Sequence, residues 1–160
     1  MPTHLPPPFL ALLRSRFRLD WHGIHGAAHW ARVRANGLLL AERAAPGAST
    51  RVIELFAFLH DSCRHDDGYD PLHGERAAQS IEELAEAMPQ LSGEERRLLA
   101  YACTHHSSGL TEAELTVQIC WDADRLDLGR VGHRPDPTRL CTKAAKDGEL
   151  IEWAYRRSLG

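Results

Sequence analysis

An apolar helical run that ends in two adjacent metal-ligand residues constrains this chain more than any other feature. Residues 52–59 carry apolar side chains at helical spacing, and Ser49 or Thr50 can cap the start of the run. His60 and Asp61 follow directly, and then comes "RHDDGYDP", a stretch rich in the Asp and Gly residues that form turns. The sequence therefore predicts a histidine and an aspartate together at a helix end, beside a loop.

Helical signals cover most of the remaining chain, and no segment shows the sustained alternation of a strand. Two S/T-x-x-E capping boxes, Ser92 with Glu95 and Thr111 with Glu114, mark helix starts. The other predicted helical segments are 9–17, 23–44, 73–88, 92–105, 111–128, 137–146 and 150–157. We therefore predict an all-α fold, a compact multi-helix bundle, in a single domain over residues 1–160, a length that suits one hydrophobic core.

Composition excludes several classes of partner. Lys and Arg total 19 against 22 Asp and Glu, for a net charge of −3, and no basic run could follow a phosphate backbone, so nucleic acid is an unlikely partner. The apolar runs are far shorter than the roughly 20 residues that cross a bilayer. The N-terminus lacks a secretory signal pattern, and the cysteines are widely spaced, so we expect a cytoplasmic protein with free thiols. The oligomeric state stays open.

Histidines make up 10 of the 160 residues, and most of them are clustered. In "HGIHGAAHWARV", His22, His25 and His29 lie at i, i+3 and i+7 and would share one face of a helix. Such a stripe alone is usually a polar or half-buried surface. Much later, "WDADRLD" supplies three aspartates among apolar residues, where a buried carboxylate is costly unless it is paired or bound to metal.

The order of these residues resembles the HD superfamily of metal-dependent phosphohydrolases, whose pattern is H, then HD, then D on a helical bundle. The resemblance covers about residues 23–129. It implies a first ligand in "HWARV", the HD doublet at residues 60–61 and a last ligand in "ADRL". The four implied metal ligands are His29, His60, Asp61 and Asp124.

Two other aspartates lie beside the last implied ligand. Asp122 is its rival, but two residues on a helix differ by about 200° of rotation, so Asp122 and Asp124 cannot easily address one ion. We expect Asp122 and Asp127 to hold supporting donors or solvent instead.

Further histidines resemble the multinuclear branch of the same superfamily, in which a second ion is bridged by the aspartate of the doublet. His73 and one of the adjacent pair His105 and His106 would complete that site, with Asp61 as the bridge. Adjacent helical residues point about 100° apart, so at most one of the pair faces a given ion. The alternative is that these histidines only terminate helices, where they complement the helix dipole.

The resemblance implies hydrolysis of a phosphate ester of a small phosphorylated metabolite, first of all a nucleotide, by water activated on a divalent ion. Nitrogen and oxygen ligands suit Mn, Fe, Zn, Co, Ni or Mg, as one ion or two. Asp61 would orient the nucleophile, and Arg64, with His25, would contact the substrate; many relatives have lysine at the position of Arg64. A diiron oxygenase and a noncatalytic metal- or nucleotide-binding module are the alternatives.

The loops around the predicted site carry further polar residues. "HDDGYD" lacks the spacing of a calcium loop, so we expect a solvated loop at the rim of the site. Arg130, His133 and Arg134 follow the last ligand helix and could help to bind an anion, but the interpretation we favour for them is a solvated surface loop.

Overall fold

A computed structural model describes residues 5–44 and 46–160 of the chain. In these ranges the chain forms α-helices and two short 3-10 helices, Leu128–Val131 and Pro137–Arg139, and no strand. The α-helices are α1 (Pro7–Arg16), α2 (Ala27–Arg43), α3 (Thr50–Leu59), α4 (His73–Leu84), α5 (Gly93–His105), α6 (Leu115–Arg125) and α7 (Gly148–Ser158). The predicted all-α bundle is confirmed.

Helix α3 lies at the centre of the bundle and packs against α2, α5 and α6. Most of its residues are buried, including Leu55, Phe56 and Leu59, which have no exposed surface. Burying a side chain of this size contributes roughly 1.5–3 kcal/mol to stability. Because the helix is apolar on nearly all sides, the two residues that follow it, His60 and Asp61, are also carried into the interior, where each is at most 1% exposed.

The segment before α2 forms tight turns, although the sequence predicted a helix from residue 23. The amide of Gly26 donates to the carbonyl of Gly23, and that of Ala27 donates to the carbonyl of Trp21. A Cβ atom at Gly26 would lie 2.2 Å from the Trp21 carbonyl oxygen, so only glycine fits this turn. His22 and His25 therefore precede the helix, and the predicted three-histidine helical face is wrong.

An edge-to-face aromatic cluster holds this turn against the core. The ring of Trp30, on α2, lies 5.1 Å from that of Phe17 and 5.3 Å from that of Trp21. Aromatic pairs at such separations contribute about 0.5–1.5 kcal/mol beyond the area that they bury. The cluster fixes the position at which the chain enters α2, two residues before His29.

Helix capping is confirmed in one predicted box and wrong in the other. Ser92 and Glu95 exchange side-chain and backbone hydrogen bonds at the start of α5. At α6 the Glu114 side chain itself caps the helix by accepting from the amide of Thr116, so the helix starts at Leu115 and the Thr111 box does not form. Ser49, rather than Thr50, caps α3.

The chain after α6 carries less helix than its sequence predicted. Helix α6 ends at Arg125, and the predicted helix over 137–146 is reduced to the 3-10 turn Pro137–Arg139. The reason is the buried carboxylate of Asp122, which accepts hydrogen bonds from the amides of Cys141, at 2.6 Å, and Thr142, at 2.8 Å. These amides would otherwise donate within a helix.

The described residues include no helix that is long and apolar enough to cross a membrane. Cys63, Cys103, Cys120 and Cys141 are all free thiols, as the sequence predicted.

Close packing at Gly74 brings the start of α4 to the end of α5. A Cβ atom at this position would lie 2.4 Å from the carbonyl oxygen of Cys103 and 3.3 Å from Nδ1 of His106. The glycine therefore allows His73, its neighbour, to reach His106 across the helix contact.

We predict that Gly74→Ala lowers the free energy of unfolding by about 1–3 kcal/mol, because the added methyl group must push the two helices apart. Urea unfolding followed by circular dichroism measures this change. Gly93→Ala is the matched control, since a Cβ atom there meets nothing within 4 Å. Equal stability of the Gly74→Ala and Gly93→Ala proteins would contradict the close-packing argument.

Candidate metal centre

Three buried side chains from two helices form the first group of possible metal ligands. His29 lies in the first turn of α2, and His60 and Asp61 directly follow α3. The Nε2 atoms of the two imidazoles are 3.0 Å apart. Asp61 Oδ2 lies 3.4 Å from Nε2 of His29 and 3.6 Å from Nε2 of His60. Two nitrogens and one oxygen thus converge on one point of the interior.

Asp124, from α6, completes this first group. Its Oδ1 atom lies 3.5 Å from Nε2 of His29 and 3.7 Å from Nε2 of His60. This oxygen is buried and accepts no hydrogen bond from the described residues. A buried carboxylate oxygen without a donor is costly, so its position favours a bound cation. The structure therefore brings together the four side chains that the HD pattern implied.

The ring orientations of the two histidines leave lone pairs facing each other. Nδ1 of His60 lies 3.0 Å from the carbonyl oxygen of Phe56, which can only accept, so the proton sits on Nδ1 and Nε2 carries a lone pair. Nδ1 of His29 likewise donates to Asp127 Oδ2 at 2.7 Å. Two unprotonated nitrogens 3.0 Å apart repel unless a proton or a metal ion lies between them.

A second group, on the other side of Asp61, contains His73 and His106. Asp61 Oδ1 lies 3.3 Å from Nε2 of His73 and 3.6 Å from Nε2 of His106. The two Nε2 atoms are 2.8 Å apart. Nδ1 of His73 donates to the carbonyl oxygen of Asp70, and Nδ1 of His106 donates to that of Cys103 at 2.7 Å, so both lone pairs again point inward. Asp61 therefore faces each group with one oxygen.

Of the adjacent histidines at the end of α5, only His106 faces these groups. The ring of His105 packs against Tyr101, with ring centroids 4.5 Å apart, and joins neither group. This outcome agrees with the roughly 100° between consecutive helical residues. His105, which the sequence left as an alternative ligand, is therefore separated from the site by helix geometry.

Arg64 and His25 lie at the edge of the site. Nε of Arg64 donates to Asp61 Oδ1 at 2.8 Å, and Nη1 donates to the carbonyl oxygen of Asp66 at 3.2 Å. Nδ1 of His25 lies 2.8 Å from Asp67 Oδ1. These contacts fold the loop after α3 over the ligand carboxylate. His22 is exposed and joins neither group.

Asp127, which is itself held by Arg32, binds the Nδ1 atom of His29 on the side of the ring away from the ligand group. Arg32 donates from Nε to Asp127 Oδ1 at 2.6 Å and from Nη2 to Oδ2 at 3.1 Å, while Oδ2 also accepts from His29. Arg32 is the arginine of "HWARV", one helical turn after His29, so this spacing was a signal that we did not use. Asp122 has no such role, because its carboxylate is occupied by the amides of Cys141 and Thr142.

Arg130 lies beside the site, so its interpretation as part of a solvated surface loop is wrong, whereas His133 and Arg134 are exposed as that interpretation predicted. Its side chain is only 8% exposed, and Nη2 lies 3.6 Å from Asp124 Oδ1. Nε donates to the carbonyl oxygen of Ile24, 106 residues earlier in the chain. No local pattern in the sequence predicts a contact over that distance.

The two ligand carboxylates are held in their anionic form. Burial alone would raise the pKa of Asp61, but His60 and the neighbouring imidazoles hold it well below the usual value. The pKa of Asp124 is also lowered, because His60 and Arg130 outweigh the effect of burial. Burial lowers the pKa of His73 to about 4, so this imidazole is neutral near pH 7, as a metal ligand must be.

His60 shows the attraction of this site for positive charge. Burial lowers its pKa, but the carboxylates of Asp61 and Asp124 raise it more, and the net pKa lies above the usual value. Buried anionic carboxylates beside inward-facing lone pairs are the donor set that a divalent cation requires.

A cavity of about 770 Å³ borders Asp61, His106 and Asp124. Its lining is rich in positive charge, since five arginines contribute to it against three aspartates. The arginines are Arg64, Arg125, Arg130, Arg134 and Arg139. Because two of the three aspartates are candidate metal ligands, the rest of the cavity favours an anion.

No protein-family model, curated protein or solved structure matched the chain when it was compared with each of these. What the site does must therefore be argued from its residues and their geometry.

We predict that the protein binds two divalent ions and that His106→Ala reduces the number to one, because the first group does not contain His106. Metal analysis after equilibrium dialysis against Mn²⁺ gives the stoichiometry. His105→Ala is the matched control and should keep both ions, since this ring faces Tyr101. Equal stoichiometry in the two variants would reject the second group as a metal site.

We predict that Asp127→Asn weakens metal binding by about 10–100-fold, because the amide cannot orient His29 as the carboxylate does. Titration with Mn²⁺ against a competing chelator measures the affinity. Asp122→Asn, the same change at a buried carboxylate of α6, is the control; it should lower stability through the contacts to Cys141 and Thr142 but leave metal affinity close to that of the wild type. An unchanged affinity in Asp127→Asn would remove Asp127 from the site.

Proposed function

We propose that this chain is a metal-dependent phosphohydrolase of the HD type that acts on a small phosphorylated metabolite. One observation supports the proposal above the others: four imidazoles and two carboxylates converge beside a cavity lined by arginines. The ligand groups attract divalent cations, and the cavity attracts anions. Phosphate esters are the anions whose cleavage such a pairing serves best.

The order of the converging residues along the chain supports the same proposal. The ligands come in the sequence H, HD, H, H and D, from α2, the end of α3, the start of α4, the end of α5 and α6. This order resembles that of the multinuclear HD proteins. The proposed metal is Mn, Fe, Zn, Co, Ni or Mg, since the donors are imidazole nitrogens and carboxylate oxygens.

The ligand groups and the cavity have different roles in the proposed reaction. A divalent ion held by these groups would lower the pKa of a bound water and polarise a phosphoryl oxygen. Asp61, whose two oxygens face the two groups, would orient the attacking water. Since the carboxylate stays anionic, it can accept a hydrogen bond from that water.

Two arginines flank the ligand carboxylates and still have donors to offer. Arg64 uses Nε and Nη1 in contacts with the protein, and Arg130 uses Nε and Nη1. Each also lines the cavity, and each leaves Nη2 without a hydrogen bond to the described residues. An arginine in this position can donate to phosphoryl oxygens as negative charge develops on them.

A diiron oxygenase is the second candidate, and the shared carboxylate of Asp61 favours it, because such a carboxylate can join two metal ions. The arginine-rich cavity favours the hydrolase, since oxidation needs no phosphate-binding donors. A noncatalytic binding module ranks last, because the ligand set is complete. The proposed substrate is a small phosphorylated molecule, and the proposed location is the cytoplasm.

We predict that the protein releases phosphate from nucleotides or other phosphomonoesters in the absence of oxygen, with Mn²⁺, Mg²⁺ or Zn²⁺ added after removal of bound iron. Hydrolysis takes its oxygen from water, so it needs no redox change at the metal. Asp124→Ala should reduce the rate to background, because the ion held by that carboxylate is lost.

The control for charge removal is Glu112→Ala, an exposed carboxylate outside the cavity, which should keep the wild-type rate. Oxygen consumption coupled to product formation, with no turnover in its absence, would reject the hydrolase and favour the diiron oxygenase.

A further inference from the structure

Residues 131–140 form a positively charged side of the cavity that lies outside the two ligand groups. This segment follows the 3-10 turn after α6 and contributes several residues to the lining. They are Val131, His133, Arg134, Asp136, Arg139 and Leu140. We call this side the 131–140 wall. It is not explained by metal binding, because none of its residues belongs to either ligand group.

The backbone of the 131–140 wall is fixed at its end. Nη1 of Arg125 donates to the carbonyl oxygen of Arg139 at 2.8 Å, and Leu140 is only 1% exposed. The next two amides are bound by the buried carboxylate of Asp122. A side chain at position 139 is therefore presented to the cavity from a rigid position, although no α-helix carries it.

Arg139 and His133 have polar groups available on this wall. Neither the guanidinium of Arg139 nor the ring of His133 makes a hydrogen bond or an ion pair of 4 Å or less with the part of the chain that the structure describes. Arg134, in contrast, pairs with Glu152 at 2.8 Å and lies over the ring of Tyr155.

Asp136 is the one acidic residue of the wall, and its carboxylate is hydrogen-bonded to Thr138. Oδ1 of Asp136 accepts from the amide of Thr138 at 2.8 Å and from its hydroxyl at 2.7 Å. It does not form an ion pair with Arg139 at 4 Å or less. Asp136 and Arg139 still attract each other as opposite charges, but without a close ion pair the donors of Arg139 remain available to a ligand in the cavity.

The basic residues of the cavity fall into two sets by their contacts. Arg64 and Arg130 contact the ligand carboxylates, while Arg139 and His133 lie on the 131–140 wall and have no contact with those carboxylates. A volume of about 770 Å³ lies within the range of sites that hold molecules of nucleotide size. A substrate with one phosphate would use only half of these donors.

We propose that the substrate carries two separated phosphate groups, one cleaved at the ligand groups and the other bound by Arg139 and His133. This inference rests on the proposed function for the cleaved phosphate, but binding at the 131–140 wall can be measured without turnover. Arg139 would act in substrate selection, since it reaches the intact group rather than the reacting one.

Binding of phosphonates tests the inference, because their carbon–phosphorus bonds resist hydrolysis. Calorimetry on the Mn²⁺-loaded protein compares alkane bisphosphonates of increasing spacer length with the matching alkyl monophosphonates. One charge-assisted hydrogen bond typically changes affinity by about tenfold or more, so we expect the best bisphosphonate to bind at least about tenfold more tightly than its monophosphonate. Arg139→Gln should remove most of this preference.

Arg97→Gln is the matched control, an equal change of charge at an exposed position of α5 outside the cavity, and should keep the full preference. His133→Gln should lower the preference partly. The inference is overturned if no spacer length gives a preference, if no phosphonate binds, or if the preference survives in the Arg139→Gln, His133→Gln double variant.

Phosphate release separates this inference from the proposed function. Release from monoesters without a bisphosphonate preference leaves the hydrolase standing and rejects the second phosphate. An Arg139-dependent preference in a protein that hydrolyses no phosphate ester supports the two-phosphate ligand and rejects the hydrolase.

Discussion

A single buried carboxylate, that of Asp61, is the constraint on which the rest of the structure depends. Its two oxygens face two pairs of imidazoles, and the four histidines come from α2, α3, α4 and α5 or the residues next to them. An anion in this position is costly in an apolar interior unless it is paired or bound to a cation. Arg64 donates to one of its oxygens at 2.8 Å, and the imidazole nitrogens beside both oxygens could share a metal ion with it. The bundle must therefore bring four helices to one point, and it does so at the end of its most apolar helix.

The ends of helices explain how the imidazoles acquire their orientation. His60 and His106 follow the last residues of α3 and α5, and each ring reaches back three or four residues to a carbonyl oxygen. The carbonyl oxygen of Phe56 also accepts from the amide of His60, so the His60 ring uses its second lone pair. The same hydrogen bond fixes the proton on Nδ1 and leaves Nε2 directed inward. His73 does this at a helix start, through the carbonyl of Asp70.

The sequence predicted the helical class, because helical periodicity is local and needs no tertiary information. The set of converging side chains was implied by the resemblance to the HD superfamily and not by spacing alone. The helix predictions that failed depended on contacts outside the helical pattern. Gly26 permits a tight turn in which a Cβ atom would collide with Trp21, and Asp122 accepts hydrogen bonds from amides 19 and 20 residues away. Arg130 enters the site through a contact with Ile24, which no periodicity encodes.

The distribution of charge, rather than its sum, decides what this molecule attracts. The chain has a net charge of −3, yet its main cavity is lined by five arginines and three aspartates. Two of those aspartates, Asp61 and Asp124, are the carboxylates that a divalent cation would neutralise, and the third, Asp136, accepts two hydrogen bonds from Thr138. With the ligand carboxylates neutralised, the field in the cavity would be cationic and would attract an anion. The same carboxylates, without a cation, oppose the approach of an anion, so metal binding and anion binding favour each other through charge alone.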